Sequence, residues 1–222
     1  MQNQVFMKIS SVVVTLGIGA ALGLGATYYH FRDSEVRIQA LESAHQGLEL
    51  ANAELEAEKL HLEFVADMAT QFGVPPNIVD IVHQESLAAV DPTKPEWRLI
   101  QTPQFMTYLM LSVIHAESKG DPLAVGDNGK ARGLTQIWVT TAKQYGEVTA
   151  RELHEPAINL RFAFAHFSYL LERYKGNLAL TLYAWNRGEG TVDKLISYGE
   201  VPSNGYGVKI YRAALSAADR GD

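Results

Sequence analysis

The chain has 222 residues, a formal net charge of −6 and no cysteine, which leaves room for one enzyme-sized domain with extensions and excludes disulfides, thiolate metal centres and a lipidated cysteine anchor. It holds no His-Glu-x-x-His pair, no glycine-rich phosphate loop and no Gly-x-Ser-x-Gly elbow, so zinc hydrolysis, nucleotide chemistry and serine hydrolysis are not expected. The acidic balance and the lack of a basic stripe speak against nucleic acid as a partner.

In chain order, the first feature is an uncharged run from Ile9 to Tyr29, flanked by Lys8 and Arg32. Its 21 residues suffice to span a bilayer as one helix, and Gly19 and Gly23 form a small-xxx-small pair suited to helix association. A cleaved signal peptide is the rival reading, but the run is long for one and no convincing small-x-small cleavage site follows. Residues 1–32 are therefore expected to be a transmembrane anchor.

Residues 33–67 carry nine acidic side chains against Arg37 and Lys59, a net of −7, so the acidity of the chain resides here and residues 68–222 are nearly neutral. Leu41, Leu48, Leu55 and Leu62 recur every seventh residue, with Ile38, His45, Asn52 and Lys59 at the companion positions. That seam predicts a helical stalk, either a marginal coiled coil making a homo-oligomer through residues 36–63 or a single solvated spacer helix.

Phe72-Gly73-Val74-Pro75-Pro76-Asn77 then leads a helix ending at His83-Gln84-Glu85-Ser86, read as a lead-in packed on the core. Thr102-Pro103 predicts the cap and first position of the next helix, and Gly120 with Pro122 its stop. Phe105, Tyr108, Leu109, Ser112, Val113 and Ala116 fall at helical spacing while Met106, Met110 and Ile114 fill the other side, so this helix is apolar nearly all round and expected to be buried. Glu117 sits in its last turn. Desolvation and the negative end of the helix dipole both disfavour a charged carboxylate there, which suits a general acid at neutral pH. The bland alternative is a helix-terminal Glu paired with a nearby Lys or Arg.

From Gly120 to Gly133 the chain is polar and glycine-rich, suited to turns and short strands that form one lip of a site. Gly133 would allow a close backbone approach to a ligand, and Gln136 offers both a donor and an acceptor. A helix start at Thr140-Thr141-Ala142, a long helix from Leu153 to Gly176 opened by Pro156, and a further helix from the cap Asn177 through Ala184-Trp185-Asn186 to Gly188 complete the pattern.

Glu117-Ser118, Gly133-Leu134-Thr135-Gln136 sixteen residues after the Glu, and Ala184-Trp185-Asn186 together resemble, in order and approximate spacing, the Glu-Ser, Gly-Leu-Met-Gln and Ala-Tyr-Asn motifs of the soluble-lytic-transglycosylase (SLT, goose-lysozyme-like) domain. The resemblance covers about residues 103–215. It implies a mainly α, α+β lysozyme-like catalytic domain over residues 68–222, with Glu117 catalytic and Ser118, Gly133, Gln136, Trp185 and Asn186 binding substrate. Trp185 stands where the family has Tyr, Thr135 where it has Met, and Gly126 where Ser is common, while Lys130 lengthens the loop by one residue. Glu85-Ser86 imitates the first motif, but the Gly-Leu-x-Gln segment lies 48 residues on, which argues against Glu85 as the acid.

By the same resemblance the expected reaction cleaves the bond between N-acetylmuramic acid and N-acetylglucosamine, forms 1,6-anhydromuramyl ends, uses one carboxyl group and needs no cofactor or metal. A distant Asp such as Asp127 acting as second carboxylate, a goose-type lysozyme delivering water, and a catalytically weak glycan-binding module of a cell-envelope or phage penetration machine remain as rivals. Lys8 opposes Arg32 and Arg37 almost evenly across the apolar run, so orientation rests on where peptidoglycan lies. That reasoning puts the domain in the periplasm of a bacterial inner-membrane protein or, alternatively, in a phage virion.

Overall fold

The computed structural model describes residues 34–100 and 102–221; the expected membrane anchor at residues 9–29 lies outside them. Among the described residues no helix is long and apolar enough to cross a membrane. The chain divides into two units, Met1–His61 and Leu62–Asp222, and helix α1 (Ser34–Phe72) runs across that division.

In the first unit, the described residues form the part of α1 from Ser34 to His61. Leu41, Leu48 and Leu55 lie exposed on this helix, and a contact between His45 Nε2 and Glu49 Oε1 (3.2 Å) and an ion pair between Lys59 and Glu56 (3.8 Å) run along its surface. Exposed pairs of this kind add at most about 0.5 kcal/mol each to a helix.

The second unit begins inside α1, whose last turns supply Val65, Met68 and Phe72 to the core. The helix ends at Gly73, which takes a φ of 65° open to a residue without Cβ. The division expected at residue 68 therefore falls within a continuous helix. Helix α2 (Pro76–Ala89) starts on a proline at its first position and buries Ile78, Val79, Val82 and Ser86.

Helix α3 (Pro103–Glu117) has the predicted bounds: Thr102 Oγ1 accepts the Phe105 N–H at 3.1 Å, and Pro103 fills the first position, where no N–H is needed. Every residue from Met106 to Ile114 is buried, because α3 packs against both α2 and helix α8 (Tyr206–Gly221). Its all-round apolar sequence thus reflects a central position.

After α3 come β1 (Val125–Gly126), β2 (Ala131–Arg132) and β3 (Ile137–Trp138), an antiparallel sheet in that order with Val125 opposite Arg132 and Ala131 opposite Trp138. The short helix α4 (Val139–Ala142) follows, and its Ala142 joins Ile137, Val148, Leu153 and Phe162 in a small second core. Helix α5 (Pro156–Arg173) packs on α2 and on α6 (Leu178–Arg187), and α6 in turn packs on α7 (Glu189–Ser197) and α8. The α5–α6 turn needs Gly176: at φ 76° an added Cβ would lie 2.5 Å from the Glu96 carbonyl oxygen. The second unit is mainly helical with one small sheet, in line with the expected lysozyme-like class.

Candidate active site

Glu117 closes α3, and Ser118, Lys119 (φ 60°) and Gly120 (φ 82°) turn the chain away from the helix axis. The carboxyl is half-buried, and its Oε1 accepts a 2.6 Å hydrogen bond from the Tyr206 hydroxyl at the start of α8. Burial pushes the Glu117 pKa above the ordinary carboxylate value, the Tyr206 bond opposes this, the Asp127 charge adds to the rise and the Lys209 charge lowers it. Burial and the facing carboxylate hold the Tyr206 phenol far above its ordinary value, so it stays a donor. The pairing suits both forms of the acid: the group is retained as a proton donor, and the carboxylate left after donation already has a partner.

Ser118 and the Gly133–Gln136 segment are joined directly. The Ser118 hydroxyl donates to the Leu134 carbonyl at 2.7 Å and accepts the Gly120 N–H at 3.2 Å, fixing the lip to the end of α3. The Gln136 amide is also turned inward, donating to the Gly133 (2.9 Å) and Ala124 (3.2 Å) carbonyls, with its own backbone at φ 50°. Gly133 differs from the expectation of a close approach to ligand: at φ 69°, the place its Cβ would take is filled by the Leu153 carbonyl and the Asn159 amide. The glycine serves internal packing, as do the Ser118 hydroxyl and the Gln136 side-chain N–H groups.

Asn159, fully buried on α5, organises this lip and escaped the motif-based reading. Its amide donates to the Arg132 and Leu153 carbonyls, each at 2.9 Å, and its Oδ1 accepts from Thr135 N (3.1 Å) and Thr135 Oγ1 (2.8 Å). The Thr135 departure from the family Met therefore has a physical reason: the hydroxyl is buried and satisfied by Asn159. A lone Asn among the apolar residues of α5 was the available signal.

Asp127 and Asn128 lie in the turn after β1 with φ of 46° and 53°. The Trp138 indole donates to Asp127 Oδ2 at 2.8 Å, and Lys130 Nζ lies 5.1 Å from the centre of the Trp138 ring. The turn thus presents a carboxylate whose orientation is held by a neighbouring strand.

Asn186 is exposed at the end of α6 and reaches the acid indirectly. Its Oδ1 accepts from the Asn204 amide at 2.7 Å, and Asn204 Oδ1 accepts the Tyr206 N–H at 3.1 Å, so Asn186, Asn204 and Tyr206 form one network ending on Glu117. Trp185 instead packs on His166 and Phe167, with ring centres 5.6 and 6.2 Å apart. The phenol hydroxyl at Glu117 comes from Tyr206, a residue that no motif spacing had marked. Gly207 lets it close in, since an added Cβ there would lie 3.3 Å from Leu182 Cβ on α6.

Glu85 lies elsewhere, half-buried on α2, where burial raises its pKa against the charge of Arg161, and Ser86 spends its hydroxyl on the Val82 carbonyl at 2.8 Å. Among the described residues no group of three or more His, Asp or Glu side chains converges to hold a metal ion. The Transglycosylase SLT domain family matches residues 98–202, a stretch that contains Glu117, the Gly133–Gln136 segment and Trp185-Asn186 and stops just short of Tyr206. No solved structure matches the chain significantly. Over residues 98–202 the chain is thus similar to the Transglycosylase SLT domain family.

Proposed function

We propose that this chain is a lytic transglycosylase of peptidoglycan in which Glu117 acts first as acid and then as base. The proton of Glu117 passes to the oxygen between N-acetylmuramic acid and N-acetylglucosamine, and the C1–O bond breaks. The Glu117 carboxylate then takes the proton of the muramyl C6 hydroxyl, whose oxygen bonds to C1 and closes the 1,6-anhydro ring. The acid is regenerated and no water is consumed. The observation that carries this reading is the half-buried Glu117 carboxyl inside the matched stretch, its pKa raised by burial, bound to the hydroxyl of Tyr206 just beyond that stretch.

Mass spectrometry of the muropeptides released by the full-length chain tests the proposal: anhydromuramyl ends, formed equally in EDTA, are expected, and dominant reducing ends would refute it. Hydrolysis is the second reading because Asp127, held by Trp138, places a second carboxylate's charge on Glu117. Reducing muramic ends, abolished by Asp127→Asn, would identify it.

The uncharged run from Ile9 to Tyr29 supports attachment of the chain to the bacterial inner membrane, with the catalytic domain in the periplasm where peptidoglycan lies; a phage virion is the alternative setting. A C-terminal alkaline phosphatase fusion should be active, and the mature chain should keep its first residues. Cleavage near Gly25 or Ala26 would refute the anchor. The heptad leucines of α1 support self-association of residues 36–63.

A further inference from the structure

We propose that Lys209 selects muramyl residues whose lactyl carboxylate is free, so that the preferred substrate is a glycan strand already stripped of its stem peptides; this rests on the glycan being the substrate. Lys209 lies on α8 three residues after Tyr206, and residues three apart are neighbours on a helix surface. The Tyr206 hydroxyl is bonded to Glu117 at 2.6 Å, so the lysine stands beside the group that holds the acid. Lys209 itself is exposed, whereas Ile210, Ala214 and Ala217 anchor α8 in the core.

The Lys209 charge acts on the Glu117 carboxyl, yet the two form no ion pair, and among the described residues no other carboxylate pairs with this lysine. A cation at this place works against the acid, because it lowers the Glu117 pKa and so opposes the burial that retains the proton. The carboxylate left after proton donation already has the Tyr206 hydroxyl as partner. The chemistry of Glu117 therefore does not account for Lys209. A bound anion does: a carboxylate paired with the ammonium offsets its charge and leaves Glu117 its proton.

Of the two sugars in the strand, only N-acetylmuramic acid carries an ionisable group. Its lactyl arm on C3 ends in a carboxyl that is neutral while amide-linked to the stem peptide and anionic once that amide is cut. Glu117 protonates the oxygen on C1 of the same ring, which brings the arm to the side chains that flank the acid. On the lip, the exposed Lys130 is a poorer partner for an anion: its Nζ stands 5.1 Å from the centre of the Trp138 ring, whose indole is bonded to Asp127, so a carboxylate there meets a like charge. The reaction that supplies the preferred substrate is then hydrolysis of the lactyl–peptide amide.

The test is calorimetric titration of the full-length Glu117→Gln chain with short glycan strands in three forms: with free lactyl carboxylates, with those carboxylates converted to primary amides, and with intact stem peptides. In this chain Lys209 cannot act through a charge at residue 117, so a difference between strands reports contact with the ligand. The carboxylate form should bind about tenfold or more tightly than the amide form, the effect of a hydrogen bond to a charged group. Added Lys209→Met should remove that difference and Lys209→Arg should keep it, while undiminished binding of the amide form shows that both variants are folded. Equal binding of the carboxylate and amide forms, a preference that survives Lys209→Met, or a Lys209→Met effect confined to stem-bearing strands would each overturn the proposal. The readout is binding, so it separates from the catalytic assignment: carboxylate preference without peptidoglycan cleavage by the unmodified chain would reject the enzyme reading alone, and cleavage without that preference would reject only the role of Lys209.

Discussion

Replacing Asn159 by Ala removes four hydrogen bonds at once, from Arg132 O, Leu153 O, Thr135 N and Thr135 Oγ1. Asn159, Leu153 and Thr135 are each 1% exposed or less, so water cannot replace the lost partners without the lip opening. At about 0.5–1.5 kcal/mol net per bond, the loss is about 2–6 kcal/mol, a large share of the ~5–15 kcal/mol that holds a typical domain folded. With a urea dependence of about 1–3 kcal/mol per molar, the midpoint should fall by about 1–3 M with the slope unchanged. Glycan cleavage should fall further than the folded fraction, because Thr135 precedes Gln136 on the lip tied to Ser118. Asn159→Asp separates hydrogen bonding from size: it keeps acceptors for Thr135, loses both amide donors and sets a carboxylate against two carbonyls. It should be at least as destabilised at neutral pH and recover in part as acid restores one O–H donor. A loss below about 1 kcal/mol for Asn159→Ala would refute the assignment of this side chain as the organiser of the lip.

The charges around Glu117 predict opposite movements of the alkaline limb of the pH–activity profile. Tyr206→Phe removes a bond that lowers the Glu117 pKa, so the proton is kept to higher pH and the limb moves up; Asp127→Asn removes a charge that raises it, so the limb moves down. Movement of both in one direction would contradict this electrostatic account. Glu117→Gln should fold normally and lose glycan cleavage, whereas Glu85→Gln should retain most of it; dye-release assays on purified sacculi that exchanged the two phenotypes would invalidate the motif register. Leu48→Asp with Leu55→Asp should weaken self-association of the full-length chain in equilibrium sedimentation, and a concentration-independent monomer before mutation would leave the stalk as a spacer.

Local sequence was sufficient for the elements with local causes. Thr102-Pro103 marks the start of α3 because a side-chain acceptor and a residue without N–H satisfy a helix end with no help from elsewhere, and Asn177 does the same for α6 through the Leu180 N–H at 3.1 Å. The burial of α3 was legible for a similar reason: a helix without a polar face has nowhere to sit but inside. The raised pKa of Glu117 was legible too, because that carboxyl ends a buried helix and is desolvated there.

The partners of these residues were not legible, since hydrogen bonds between distant segments follow from packing and leave no periodic trace. Tyr206 reaches Glu117 across 89 residues of chain, and Asn159 reaches Thr135 across 24. Ser118, Gly133 and Gln136 carry the right motif letters for a binding loop, yet folding turns their polar groups and open space toward the protein's own backbone, where buried carbonyls and N–H groups must be satisfied first. Chemical identity along the chain thus marked the helix that ends at Glu117 and the loop after it, while the three-dimensional arrangement of α5, α6 and α8 determined which groups hold the Glu117 carboxyl and which are consumed in holding the loop.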